Sequence, residues 1–320
     1  MKAAAERGPA FLAATQSLAV DLVTAEVMGG LAEAGVPGIL LKGPSVALWL
    51  YRGGAGRGYV DSDILVPPES WAVAEEVLAS LGFVDPLVDA MTDERDPTAS
   101  PWQRPRDHAA VDLHRSLRGV GVAPGDVWRV LSAQTEPMNV AGVAVQVLMP
   151  PGRTLNLALH AAHEGIRNAQ CVEDLGRALR QLSPQTWARA ARLARRLEAE
   201  SSFAAGLGLL AGGRALATEL RLPIPQSAEV RLRVTTPPPL ALGFAALDEI
   251  PGWRPRLRFI GHNLVPTRAF MRFSTPLARH GPLGLGTAYV WRWISLLWHA
   301  VPGYRAWRRA NEGGPRHRLG

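Results

Sequence analysis

Over the first 150 residues, short apolar runs broken by Gly and Pro alternate with amphipathic stretches; from Thr154 the pattern becomes helical with few interruptions. Residues 8–34 read as an alanine-rich helix stopped by Gly35-Val36-Pro37-Gly38. "ILL" (39–41) is a short buried strand. "GPSVALWLY" then begins a helix with Pro44 in its first turn, where a missing N–H costs nothing. "GGAGRG" (53–58) reads as a loop, and "DILV" (63–66) as a second strand ended by Pro67-Pro68. In "ESWAVAEEVLASLGF", Trp71, Ala74, Val77, Leu78 and Leu81 share one helical face, and Gly82 is a natural stop. Prolines at 86, 97, 101 and 105 make 85–107 loop-like. "AAVDLHRSL" (109–117) and "VAVQVLMP" (143–150) read as a third and a fourth strand.

Strands alternating with helices indicate an α/β or α+β domain over 36–150, preceded by the helix within 1–35. "LNLALHAAHEG", "VEDLGRALRQL" and the run from Gln185 to Leu220 form a helical domain, 151–221. Residues 222–239 are Pro-rich and read as a linker; they open a C-terminal region, 222–320, rich in Arg and Trp with weak periodicity.

Composition narrows the class. With 47% hydrophobic and 20% charged residues the chain can bury a sizeable core, which excludes disorder. A net charge of +7 suits anionic partners: nucleotides, nucleic acid or acidic lipids. Cys171 is the sole cysteine, which excludes an intrachain disulfide and a cysteine-based metal cluster. Asp21 and Glu26 interrupt the apolar stretch that follows Lys2 and Arg7, unlike a signal peptide. No uncharged apolar run reaches the roughly 18 residues of a membrane span. The nearest approach, Gly281 to Tyr304, holds Arg292 in its middle. A cytoplasmic protein is expected.

The candidate chemistry sits between Leu40 and Ser70, with Lys42 one of only two lysines. Residues i and i+2 of a strand project from one face, so Asp61 and Asp63 point together. Paired carboxylates repel, and a divalent cation is the usual means of keeping both ionised; Mg²⁺ takes carboxylate oxygens together with substrate phosphates. Asp112 is a third candidate ligand, in the strand that follows the Pro-rich stretch, and His114 shares its face. Upstream, Gly43-Pro44-Ser45 joins a strand to a helix, a place where backbone N–H groups and a Ser hydroxyl bind phosphate, with Lys42 supplying positive charge.

This order resembles the polymerase-β-like nucleotidyltransferase superfamily and, more narrowly, the bacterial uncharacterised nucleotidyltransferase family. The residues that carry the resemblance are Leu40-Leu41-Lys42-Gly43, Arg57, "DSDILV" (61–66), Asp112-Leu113-His114, His160 in "LALHAAHEG" and Asp174 in "VEDL". Ser62 stands where an apolar residue is usual, and the second helical histidine, His163, is displaced by one position. The resemblance implies an α+β fold, a small mixed sheet with helices, followed by a helical domain. It implies transfer of an NMP from an NTP, with release of pyrophosphate, to an acceptor: a small natural product or peptide in preference to RNA. Asp61, Asp63 and Asp112 would bind Mg²⁺ or Mn²⁺ in a two-metal site, while Lys42, Gly43, Ser45 and Arg57 would hold the triphosphate.

Each residue also has a plainer reading. Asp-x-Asp pairs are often turn or capping residues, and Arg57 reads equally well as a surface arginine. His114, His160 and His163 read as structural, and Asp174 as a cap or the partner of an arginine. The C-terminal Trp/Arg segment reads first as packing against the helices, then as a weak membrane-surface contact, and third as a nucleic-acid surface, although its aromatics are not interleaved as in a stacking platform. The competing function is a non-catalytic scaffold on a decayed nucleotidyltransferase fold.

Overall fold

The computed structural model describes residues 2–51, 56–86, 98–224, 227–233 and 235–312, with side chains from residue 14 onward except Phe273. Residues 53–55 of the glycine-rich loop, and 87–97 of the Pro-rich stretch with Pro97, lie outside the described residues.

The first half runs α1 (Lys2–Glu33), β1 (Ile39–Leu40), α2 (Pro44–Leu50), β2 (Ser62–Leu65), α3 (Trp71–Ser80), β3 (Ala99–Arg104), β4 (Ala109–His114), α4 (Pro124–Ser132), β5 (Thr135–Val140) and β6 (Val143–Leu148). The strands form one mixed sheet in the order β3-β4-β2-β1-β6-β5. β1 lies antiparallel to β2 and parallel to β6, and β2 lies parallel to β4. Helices follow: α5 (Pro150–Glu164), α6 (Ala169–Gln181), α7 (Pro184–Arg196), α8 (Glu200–Gly208), α9 (Ala211–Glu219), α10 (Ala228–Arg233), α11 (Ala241–Glu249), α12 (Trp253–Leu264), α13 (Arg268–Ser274) and α14 (Gly281–Glu312). The fold is α+β with a C-terminal helical region.

Strand alternation divides the core. Leu40, Ile64, Val111, Leu113, Val145 and Val147 face α1 and α3, in one buried cluster with Val27, Leu31, Ala74 and Leu78. Ile39, Leu41, Leu65 and Leu148 belong to a second cluster with α2 and α4 to α8. Asp63, between Ser62 and Ile64, therefore lies on the second face, beneath α5 and α6. The unexpected Ser62 belongs to the first face. It is fully buried, and its hydroxyl meets that of Thr24 in α1, so the hydroxyl finds a partner in an otherwise apolar layer.

Several elements depart from the sequence reading. The Pro-rich stretch contains β3, with Pro101 opposite Asp112. β3 is an edge strand, and an edge tolerates a residue that donates no ladder bond. β5, which holds Pro137, is the other edge. It joins β6 through Ala141 and Gly142, both at positive φ, as a two-residue hairpin requires. α4 also had no counterpart in the sequence reading. The strand expected over 109–117 ends at His114, and the one expected over 143–150 ends at Leu148, because Pro150 starts α5. The helical run from Gln185 to Leu220 is three helices, broken at Glu198, whose φ is 52°, and again at Leu209-Leu210. The Pro-rich 222–239 holds the short α10.

Candidate active site

The pairing of β2 with β4 makes Asp63 and Asp112 direct neighbours across parallel strands, and the same alternation turns His114 toward them. Asp63 is 1% exposed. Its Oδ1 lies 2.7 Å from Lys42 Nζ and 3.0 Å from His114 Nε2. Asp61, half-buried just before β2, lines the same cavity of about 410 Å³. Opposite stand α5 and α6, which contribute Asn156, His160, His163, Glu164, Gln170 and Cys171. Asn156 ties α5 to the sheet by donating to the Leu41 carbonyl.

Lys42 reaches this cluster from the turn between β1 and α2. Gly43 in that turn has φ 64°, and a Cβ there would lie 3.2 Å from the Asp61 carbonyl oxygen, so the position favours glycine. Pro44 is the first residue of α2 and is buried. Ser45 is fully buried; its Oγ finds no hydrogen-bond partner among the described residues and is not part of the cavity wall.

The charges shape one another. Burial pushes the Asp61 carboxyl up to about 6, helped by the negative charge of Asp63 and opposed by Lys42. Asp112 is raised by burial and then by Asp63. Burial works on Asp63 in the same direction, but Lys42 and His114 together hold it well below the usual carboxylate range. Lys42 is raised: burial would lower it, and the surrounding aspartates, Asp63 first, overcome that. His160 lies with Nδ1 3.5 Å from Lys42 Nζ, and burial followed by the Lys42 charge lowers it to about 3, so the imidazole is neutral at neutral pH.

Arg57 is held from behind. Its Nε and Nη2 donate to both oxygens of Asp174 in α6 at 2.8–3.1 Å, and Asp174 also accepts from Tyr51 at 2.6 Å and Gln170 at 2.9 Å. Asp174 is thus the partner of an arginine, and Arg57 still forms part of the cavity wall.

Of the residues singled out in the sequence, Lys42, Gly43, Arg57, Asp61, Asp63 and Asp112 meet at this cavity and Ser45 lies behind it. His160, read as structural, stands on the wall beside Lys42. Arg118, whose guanidinium meets His163, escaped notice in the sequence; its only signal is its place just past the Asp112-x-His114 strand. Asp63, Asp112 and His114 bring ligand atoms within 4.8 Å of one another, so the group could hold a metal ion. The donors fit one: carboxylate oxygens suit Mg²⁺ or Mn²⁺, and two raised carboxyls beside an ionised one would be relieved by a cation.

A family model described as uncharacterised nucleotidyltransferase matches residues 8–212, more than half of the chain. Among solved structures, the antibiotic-resistance factor ANT(2″)-Ia in solution is 14% identical, with a TM-score of 0.39 over 56% of this chain and 93% of that one. Its crystal structure with adenylyl-2″-tobramycin is 14% identical, with a TM-score of 0.40 over 55% of this chain and 97% of that one. An antigenic nucleotidyltransferase-like protein from Paracoccidioides brasiliensis is 14% identical, with a TM-score of 0.35 over 65% of this chain and 95% of that one. None of the curated proteins matches.

Proposed function

Since the chain belongs to the uncharacterised nucleotidyltransferase family, we propose that it moves a nucleoside monophosphate from an NTP to an acceptor hydroxyl or amine, releasing pyrophosphate, with Mg²⁺ or Mn²⁺ as cofactor. The observation that carries this reading is the facing pair Asp63 and Asp112, with Asp61 beside them and Lys42 among them, in one cavity.

In this reading Asp61 and Asp63 would hold one metal ion together with the triphosphate, and with Asp112 they would hold a second, completing a two-metal site. A divalent cation bound there neutralises charge developing on the transferred phosphate and its leaving group. His114 orients Asp63 through its hydrogen bond. Lys42 leaves its pairing with Asp63 for the triphosphate, and Arg57, fixed by Asp174, contributes a second positive charge on the same wall. Gly43 lets phosphate approach the backbone. Ser45 would take part only if its turn moved toward the cavity. Residues 36–150 carry this chemistry, and 151–221 supply the α5 and α6 wall that closes over the acceptor. A cavity of about 410 Å³ favours a small molecule or the end of a peptide over a folded RNA.

The test incubates the protein with mixed NTPs and Mg²⁺ in cell extract and seeks, by mass spectrometry, an acceptor heavier by one nucleotide. The mass should appear with the wild type and vanish with Asp63→Asn. Calorimetry that finds no heat with any NTP and Mg²⁺ would leave a non-catalytic scaffold as the reading.

A further inference from the structure

The outward face of α14 is its apolar one. Leu283, Val290, Ile294, Leu297 and Val301 recur at intervals of three, four and seven residues, and each is more than half exposed. At 1.5 Å per residue they make a stripe about 27 Å long. Trp291 and Trp298, seven residues apart, are 66% and 80% exposed beside it. The residues that α14 buries are small: Gly284, Ala288 and Gly303. A helix packed only against its own protein would show the reverse arrangement.

The stripe is extended by its neighbour. Arg292 donates twice to the Asn263 carbonyl and the Trp293 indole donates to that of Leu264, which brings the end of α12 beside the middle of α14. Leu264 and Val265 are exposed there. A groove of about 830 Å³ between α11, α12 and α14 adds more apolar wall, from Phe244, Ile260 and Trp291.

Charge identifies the occupant. From Ile250 to Asn311 the sequence holds ten arginines and no acidic residue, whereas residues 1–239 hold 23 basic and 25 acidic side chains. Arg305 and Arg309 continue the exposed face of α14 just past the apolar stripe, beside Arg308, which pairs with Glu312 at the helix end. Among the described residues no helix is long and apolar enough to cross a membrane. An exposed apolar face with tryptophans and an arginine-rich end matches a helix that lies in the headgroup region of a bilayer. A second copy on this face would set arginines against arginines. A single-stranded nucleic acid would stack on the tryptophans but leave the aliphatic stripe uncovered.

We propose that α12 and α14 dock this protein on the surface of an anionic lipid bilayer, the α14 stripe entering the acyl boundary and the arginines meeting the headgroups. The proposal is independent of nucleotidyl transfer.

The test uses the full chain with vesicles of phosphatidylcholine alone, or with about a third phosphatidylserine, whose negative surface attracts basic segments. Wild-type protein should float with the anionic vesicles and much less with the neutral ones, and brominated acyl chains should quench its tryptophan fluorescence. Leu297→Glu with Trp298→Glu should lower partitioning at least about a hundredfold, because two large apolar side chains no longer leave water. Replacing Arg305 and Arg309 by serine should cost about fivefold each at low salt and little at high salt. Matching far-UV circular dichroism and melting show that the variants fold. The proposal falls if folded wild type stays out of anionic vesicles, or if flotation survives both variants. It also falls if the Glu variant dissociates a dimer in the absence of lipid, or if an oligonucleotide, and no vesicle, binds through this face.

Discussion

Replacing Asp61 by asparagine removes one of three carboxylates gathered around Lys42. The Asp61 carboxyl is pushed from its ordinary 3.8 up to about 6 in the folded protein. A folded-state value above the unfolded one means that this group's stability is present below 3.8 and is lost as pH rises through 6. At pH 7 the ionised side chain therefore costs the metal-free fold about 3 kcal/mol, converting the two values at 1.36 kcal/mol per factor of ten. The asparagine side chain carries no charge and escapes that cost. We expect Asp61→Asn to be more stable than wild type by about 3 kcal/mol at pH 7 in chelator, by about half that at pH 5, and by little at pH 4. Urea unfolding followed by circular dichroism at the three pH values measures the difference. Millimolar Mg²⁺ should then stabilise wild type more than the variant, since ligand that binds only the folded state adds stability. The same variant should lose transfer activity, as expected where a site holds charge at the expense of stability. A variant less stable than wild type in chelator, or an excess that does not change with pH, would refute the electrostatic reasoning.

Asp174→Ala would leave the buried Arg57 guanidinium without its carboxylate and should destabilise by about 3–5 kcal/mol in denaturant unfolding; a loss below about 1 kcal/mol would mean that the pair is dispensable. His160 stays neutral in the fold down to about 3 while the unfolded chain takes up a proton near 6.5, so its contribution to stability is lost as pH falls below 6.5. In His160→Gln the stability lost between pH 7 and 5 should shrink by about 2 kcal/mol, and an unchanged pH profile would count against burial of the imidazole. Gly43→Ala forces a side chain into positive φ against the Asp61 carbonyl and should cost about 1–3 kcal/mol, with a visible loss of NTP binding by calorimetry; wild-type behaviour would show that the turn has slack.

The C-terminal region shows why periodicity can mislead. α14 was illegible as an amphipathic element because its outer face is apolar, so inside and outside carry the same signal. β3 and β5 escaped for another reason: Pro101 and Pro137 argue against strands, and only their place at the sheet edges makes them acceptable. Ser62 looked out of place in an apolar run until Thr24 appeared opposite it.

The sequence by itself determined which face each candidate residue takes. Strand alternation put Asp61 with Asp63 and Asp112 with His114, and the turn at Gly43 placed Lys42 at a helix start; these are local consequences of backbone geometry. The tertiary structure alone decided who meets whom. The parallel register of β2 and β4 set Asp63 opposite Asp112 across 49 positions of chain, α5 brought His160 to Lys42, and α6 brought Asp174 to Arg57. Strand order and helix docking follow from burying both faces of one sheet at once, and residues far apart in the chain settle that together. A period along the chain names a face but never the neighbour across it.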